Sequence, residues 1–424
     1  MRTCHCLTIR RRETVMPELH VELYGHLVGH LYSSGDRTFD FRTDHAAFEY
    51  FRPASTTLSV SVPLSVVDSR GKAGRRRVFF TELLPEGNML ADLARRAGVA
   101  EHDVVGFLAH YGRDVAGAVQ IWDPDRPGEP RTPRLTAVTD DEVGMLLQDT
   151  RSAPLGNSPV SGKSSLAGVQ EKIVLARVDG GWHRVHDGYP STHIVKPETR
   201  EHSSLIYDEE YGTRLARTTG LTRHASWIEN FPGRPGLVIE RYDRSPNAPQ
   251  GRIHQEDMNQ ALGAVGNQKY QEYGGKVSLA RVAEVLARVT NDDSEERLLR
   301  MTAFAVAIGN LDMHAKNISL IHNPDQTTTL APAYDVVPLR QHPTDGRMAL
   351  AVNKKYVHAT MTAEDLIAEG AAWGVSDAEG VVRKTLEATL TAIETEEPDR
   401  RADPKLRETL LAFTRNLLAG DQAS

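Results

Sequence analysis

The sequence predicts an α+β protein in three parts: a small α+β unit, then a β-rich lobe, then an all-α lobe. Three observations carry that prediction. Apolar residues alternate in the first part, as at Leu19, Val21 and Leu23 or at Phe39 and Phe41, the period of half-buried strands. Short strand-like runs return between Lys172 and Arg241. Past Gly274 the apolar spacing becomes three and four residues, the mark of amphipathic helices. Length agrees, since 424 residues at about 150 per domain allow two or three units.

Taken in order, residues 1–15 read as a disordered leader, and Met16-Pro17 opens the patterned region. The first unit, 16–122, should hold strands at 19–23 and 39–41. A further strand is expected over Leu58, Val60, Val62 and Leu64, with Pro63 marking a sheet edge. Helices follow at 88–97 and around Val104 to Leu108, then a strand at 118–122. Residues 123–165 read as a Pro-rich linker and a Ser/Gly-rich loop. The second part, 166–424, begins with strands at 172–178 and 193–195, a helix at 204–218, and strands at 226–229 and 236–241. This β-rich lobe ends near 245. One helical face joins Leu279, Val282, Leu286 and Val289. Another joins Leu298, Met301, Ala305 and Ile308, with Asp293 and Glu296 as its cap. Thr362 with Asp365, Ser376 with Glu379, and the segment 404–418 signal the last helices. There is no internal repeat.

Composition narrows the classes. Hydrophobic content is 40% and charged content 25%, ordinary for a globular chain. Fifty Lys+Arg against 57 Asp+Glu leave −7, which argues against broad electrostatic nucleic-acid binding. No apolar run approaches the roughly 18 to 20 residues of a membrane span, and the Arg-bearing start lacks the apolar core of a signal peptide. Cys4 and Cys6 are the two cysteines, so neither a disulfide framework nor a cysteine metal cage is expected. A cytoplasmic protein without a membrane partner is the expectation.

Polar chemistry concentrates at Ile308-Gly309-Asn310-Leu311-Asp312-Met313-His314-Ala315-Lys316-Asn317, after a long apolar helix. Asp312 and Asn317 have the spacing of a protein-kinase catalytic loop, in which the Asp accepts a hydroxyl proton and the Asn holds a metal. Tyr334-Asp335 then offers a second oxygen ligand for Mg²⁺, a hard cation. Upstream, Lys196 ends an apolar strand, where its cation could meet phosphates. Glu209 or Glu210 on the following helix could orient it. The strand through Leu237-Val238-Ile239 runs into Glu240-Arg241-Tyr242, a candidate adenine hinge, and His314 reads as a loop organiser. Singly, each has a bland alternative: a helix-capping Asp, a snorkelling Lys, a solvated Glu pair. Their order along the chain is what argues for a two-lobed, protein-kinase-like fold.

The same pieces resemble the HipA family, the serine/threonine-kinase toxins of bacterial HipBA toxin–antitoxin modules. The matching motifs include Ser165-Leu166-Ala167-Gly168-Val169-Gln170-Glu171-Lys172, Thr192-His193-Ile194-Val195-Lys196-Pro197 and Glu240-Arg241-Tyr242-Asp243-Arg244. Gln255-Glu256-Asp257-Met258, the 312–317 loop and Tyr334-Asp335 continue the match. Leu83-Leu84-Pro85-Glu86-Gly87 and Gly112-Arg113-Asp114-Val115-Ala116-Gly117-Ala118-Val119 look like the family's leading subdomain. The likeness spans about 18 to 395.

The resemblance implies ATP and Mg²⁺ as cofactors. It implies Asp312 as catalytic base and Asn317 and Asp335 as metal ligands. ATP would meet Lys196, a phosphate-side loop of Ala167, Gly168, Val169, Gln170, Glu171 and Lys172, the hinge Glu240, Arg241 and Tyr242, and the neighbours His314, Ala315, Lys316 and Tyr334. Ser165 would be autophosphorylated, with Ser158, Ser161 and Ser164 as competitors. A phosphoserine carries about −1.5 to −2 charges and would be repelled from a triphosphate. The implied partners are a HipB-like helix-turn-helix antitoxin, operator DNA through that antitoxin, and a translation protein such as glutamyl-tRNA synthetase, an aminoacyl-tRNA synthetase whose phosphorylation arrests growth. Met313 stands where many members carry Gly, which points to altered substrate fit. Two rivals belong to other classes: a catalytically silent kinase-like scaffold serving as antitoxin partner and corepressor, and a small-molecule or lipid kinase.

Overall fold

The computed structural model describes residues 18–33, 38–67, 69–158, 161–168 and 170–424. The expected leader at 1–15, with Cys4, Cys6 and the neighbouring Met16, lies outside the described residues. The first unit is built on β1 (Glu18–Leu23), β2 (His26–Ser33), β3 (Phe39–Thr43) and β4 (Val119–Trp122), antiparallel in the order β3-β2-β1-β4. Leu19, Val21 and Leu23 alternate into its core, as their spacing requires. Three helices, α1 (Ala73–Thr81), α2 (Gly87–Ala97) and α3 (Val104–Tyr111), complete the unit around Phe41, Phe79, Phe80 and Phe107.

The expected strand through Leu58 to Leu64 does not form. Leu58, Val62 and Leu64 enter the core of the first unit, whereas Val60 enters the large core of the last, α-rich lobe. The segment is therefore wedged between two hydrophobic interiors. Its backbone is held by a side chain instead of a neighbouring strand, with Val60 N donating to Glu256 Oε1 at 2.7 Å.

Residues 134–148, assigned above to the linker, also fold. They make β5 (Arg134–Val138) and α4 (Asp140–Gln148), the helix opened by a capping box of Thr139 and Glu142. Both belong to the next lobe. There β5 joins β6 (Ile173–Val178), β7 (Gly181–His186), β8 (His193–Pro197), β9 (Ser226–Phe231) and β10 (Arg234–Glu240) in an antiparallel sheet ordered β5-β7-β6-β8-β10-β9. Val143 and Leu147 of α4 pack with Leu175, Trp182, Val195 and Val238 of that sheet. Helix α5 (Leu205–Thr218) also contacts its β9–β10 edge.

The last lobe is α-rich but not all-α. Its helices are α6 (Met258–Leu262), α7 (Leu279–Val289), α8 (Ser294–Ala307), α9 (Ala363–Ala372), α10 (Ala378–Thr395) and α11 (Leu406–Ala419). Among them run β11 (His254–Asp257), β12 (Ser319–His322) and β13 (Thr328–Leu330) in one small sheet, and a hairpin of β14 (Arg347–Val352) and β15 (Lys355–Val357). These strands of three to six residues are too short to register as alternation in sequence. Asp293 is the N-cap residue of α8 as expected, but its side chain makes no capping bond, and Ser294 N bonds Asp292 instead. One cap is displaced: Asp377 rather than Ser376 caps α10. No helix of the described residues is long and apolar enough to cross a membrane.

Candidate active site

Lys196 lies on β8 opposite Leu237 of β10, and the sheet aims its ammonium into the space between the lobes. Nζ donates to Glu209 Oε1 of α5 and to Asp335 Oδ1 beyond β13, both at 2.7 Å. Glu210, the other acid considered for this pairing, instead binds Arg214 one helical turn on, at 2.9 Å. Burial opposes the Lys196 charge, but the fields of Asp335 and Glu209 outweigh it and hold its pKa above the ordinary range. Asp335 also resists burial, since Lys196 keeps its carboxyl well below the usual carboxylate range. Burial raises Glu209, the deepest of the three. Asp335 has φ of 54°, left-handed backbone that Asp tolerates better than most residues, and its side chain stays 37% exposed.

Asp312 sits in the turn after α8. Its backbone carbonyl accepts from His314 N at 2.7 Å and from Asn317 Nδ2 at 2.9 Å, so the loop is tied back on itself. The Asp312 side chain stays 44% exposed. Its pKa is pushed up to about 6, first by burial and then by the charge of Asp335, while the Lys269 charge acts the other way. His314 is buried edge-on against Tyr270, ring centroids 5.3 Å apart. Burial pushes its pKa down to about 4, so it is neutral and organises the loop.

The segment before β6 closes over this cluster. Lys172 Nζ donates to Ala167 O at 2.7 Å, and burial together with the Lys196 charge lowers its pKa to about 8. Gly168 has φ of 112°, and a Cβ there would lie 2.6 Å from Lys172 Nζ, so glycine alone fits this turn. Two cations and three carboxylates thus meet where β8, α5, the 312–317 loop and Asp335 converge.

Models of two domain families match the chain: the HipA N-terminal domain over residues 19–122 and the HipA-like C-terminal domain over 164–395. The chain belongs to the HipA family. It is 33% identical over 303 residues to the putative kinase Y4mE of Sinorhizobium fredii, covering 68% of this chain and 70% of that one. It is 27% identical over 377 residues to the serine/threonine-protein kinase toxin HipA of Shewanella oneidensis, covering 85% and 84%. Among solved structures it is similar to HipA in a Shewanella oneidensis MR-1 complex of HipA, HipB and operator DNA. There the TM-score is 0.75 and identity 25%, over 95% of this chain and 96% of that one. The kinase-like HipA fold is thereby shown.

Against that HipA frame, several side chains named from sequence sit elsewhere. Arg241 does not turn into the cleft. Its guanidinium binds Asp243 at 2.8 Å and Ser191 Oγ at 2.8 Å, deep against the first unit. Lys316 is committed to Glu82 at 2.8 Å and Glu86 at 3.2 Å. Glu171 is exposed and accepts from Thr150 at 2.8 Å. Glu240 accepts from Ala225 N at 2.8 Å, which leaves backbone as its contribution to a hinge. Tyr242 stacks on Tyr334 at 5.1 Å, and Tyr334 Oη donates to Lys316 O at 2.6 Å. Ala315 is buried beside Lys316 in the same short turn, and Gln170 is half-buried. Val169 lies outside the described residues.

Ser165 is fully buried, its hydroxyl donating to Leu83 O at 3.0 Å. Ser164 bonds Asp114 at 3.0 Å and Ser161 bonds His186 at 2.8 Å, so Ser158 is the least buried of the four candidates. The motif 255–257, unexplained by charge, has a structural role: Glu256 also accepts from Ser59 Oγ at 2.6 Å and pairs with His322, while Asp257 caps α6. Sequence reasoning missed Tyr270, which lies in a Gly- and Gln-containing stretch without periodicity, and it missed Glu82 and Glu86 as partners of the 312–317 loop.

Proposed function

We propose that this HipA-family chain is an ATP-dependent serine/threonine protein kinase, acting in the cytoplasm as the toxin of a toxin–antitoxin module. One observation carries the proposal: the Lys196 ammonium held 2.7 Å from both Glu209 and Asp335, the ion pair and metal-side carboxylate that phosphoryl transfer needs in register. Asp312 would accept the proton of a substrate hydroxyl, and its open carboxylate suits that role. Lys196, set by Glu209, would meet the ATP phosphates, joined by Lys172 as the loop opens. Asn317 and Asp335 fit Mg²⁺ chemically, one neutral and one anionic oxygen donor, the latter kept deprotonated by Lys196. Mg²⁺ bound there would neutralise charge on the transferring phosphate. The Glu240–Tyr242 backbone would hold adenine.

The protein substrate would be a serine of a translation protein such as glutamyl-tRNA synthetase, with Ser165 as the self-modified site. A burial as complete as that of Ser165 means the loop must leave its seat to be phosphorylated and would not return with a dianion. A HipB-like antitoxin would bring the chain to operator DNA. The Shewanella oneidensis relative, solved with HipB and operator DNA, supports that expectation. Incubating the chain with labelled ATP and Mg²⁺ tests the proposal. Phosphoserine on the chain or on a lysate protein is expected, and its absence in both would favour the silent scaffold.

A further inference from the structure

The first unit reaches the loop of the proposed catalytic base through an ion lattice centred on Lys316. Glu82 and Glu86 flank the turn before α2. Lys316, between His314 and Asn317, places its ammonium 2.8 Å from Glu82 and 3.2 Å from Glu86. Glu86 also pairs with Lys269 at 3.1 Å, and Glu82 Oε1 accepts from Gly266 N at 3.1 Å. The same two carboxylates therefore anchor both the 312–317 loop and the segment that carries Tyr270. Tyr270 in turn lies edge-on to His314, ring centroids 5.3 Å apart, two residues from Asp312, and Lys269 Nζ sits 5.5 Å from the centre of its ring. Lys269 and Lys316 are both buried. A buried ammonium that loses its anion is costly, so the lattice has one geometry and transmits it to the loop.

We propose that Glu82 and Glu86 of the N-terminal unit are positioning residues for phosphoryl transfer, setting Asp312 through Lys316 on one side and through Lys269 and Tyr270 on the other. The inference rests on the kinase function proposed above. It makes the N-terminal unit a working part of the proposed catalytic site.

Steady-state kinetics of the full chain test it. Tyr270→Ala removes the ring that lies against His314 in the 312–317 loop. It should lower kcat about tenfold, with KM for ATP changed less than about twofold. Glu86→Gln should lower kcat about fivefold on the same grounds, and Glu86→Asp should restore part of it. A readout without turnover is hydrogen exchange: amides of residues 310–317 should exchange about tenfold faster in Glu82→Gln and Glu86→Gln, while those of 193–196 stay unchanged. Wild-type transfer with unchanged kcat in Tyr270→Ala and Glu86→Gln overturns the positioning role alone. Unchanged exchange at 310–317 overturns it as well, whatever the activity. No transfer by the wild-type chain overturns the kinase function and the catalytic half of this inference with it.

Discussion

In the cleft, acids outnumber cations, Glu209, Asp335 and Asp312 standing against Lys196 and Lys172. At the interface between the first unit and the segment after β10 the ratio is reversed, with Arg241, Arg244 and Arg252 gathered around Asp114 and Asp243. Both clusters bury ions that water would otherwise hold, at a cost that only close pairing offsets. They differ in what is left open. Asp335 keeps 37% of its side chain exposed, whereas no member of the interface cluster exceeds 5%. A cation-poor cluster with an open carboxylate can accept a new cation and a polyphosphate. A closed, cation-rich cluster can only hold parts together. The difference also explains Arg241: beside Asp243 its charge is consumed, so its side chain does not face the cleft.

The comparison can be broken most sharply by Asp312→Asn. Phosphotransfer should fall about a thousandfold, within the range for loss of a general base, while ATP affinity measured by calorimetry stays within a few-fold. Equal loss of binding would mean the cleft carboxylates act structurally, like those of the interface. Asp114→Asn is the converse. It leaves Arg244 and Arg252 short of an anion and should cost about 3–5 kcal/mol in denaturant unfolding, with activity per folded molecule unchanged. A kinetic defect in the folded fraction would show that the interface also works in the cleft.

Acid sharpens the contrast further. Burial pushes His254 down to about 3 and His358 to about 4. A lowered folded value means the unfolded chain binds the proton first, so their contribution is full above pH 6.5 and is lost as pH falls toward 4. Imidazole resonances of both should stay those of the neutral ring down to about pH 4, and a midpoint near 6.5 would contradict their burial. The smallest effect is expected from Ser165→Ala. It deletes one hydrogen bond to Leu83 O, worth about 1 kcal/mol in melting, and mass spectrometry should find no phosphate on the loop. Phosphate persisting there would move the site to Ser158, Ser161 or Ser164.

Legibility followed physical range. Strands β1, β6 and β8, helices α5, α7 and α10, and the Thr362–Asp365 cap of α9 were readable because alternation, helical spacing and capping are local. The run from Leu58 to Leu64 misled because its alternation serves two cores rather than a sheet face. Residues 134–148 were obscured by the prolines before them, although Thr139 and Glu142 carried a cap signal. The short strands β11 to β15 gave too few positions to count.

The residues of the candidate site divide in the same way. Sequence by itself determined which side chains could do chemistry: Lys196 at a strand end, the five-residue step from Asp312 to Asn317, and Asp335 between apolar neighbours. Chain order also placed them in the right succession. Tertiary structure alone decided which acid Lys196 takes, sending it to Glu209 and giving Glu210 to Arg214. It alone turned Lys316 toward Glu82 and brought Tyr270 against His314. Ion pairing is set by distance in space, and residues separated by 234 positions, as Lys316 and Glu82 are, leave no mark of their meeting in the order of the chain.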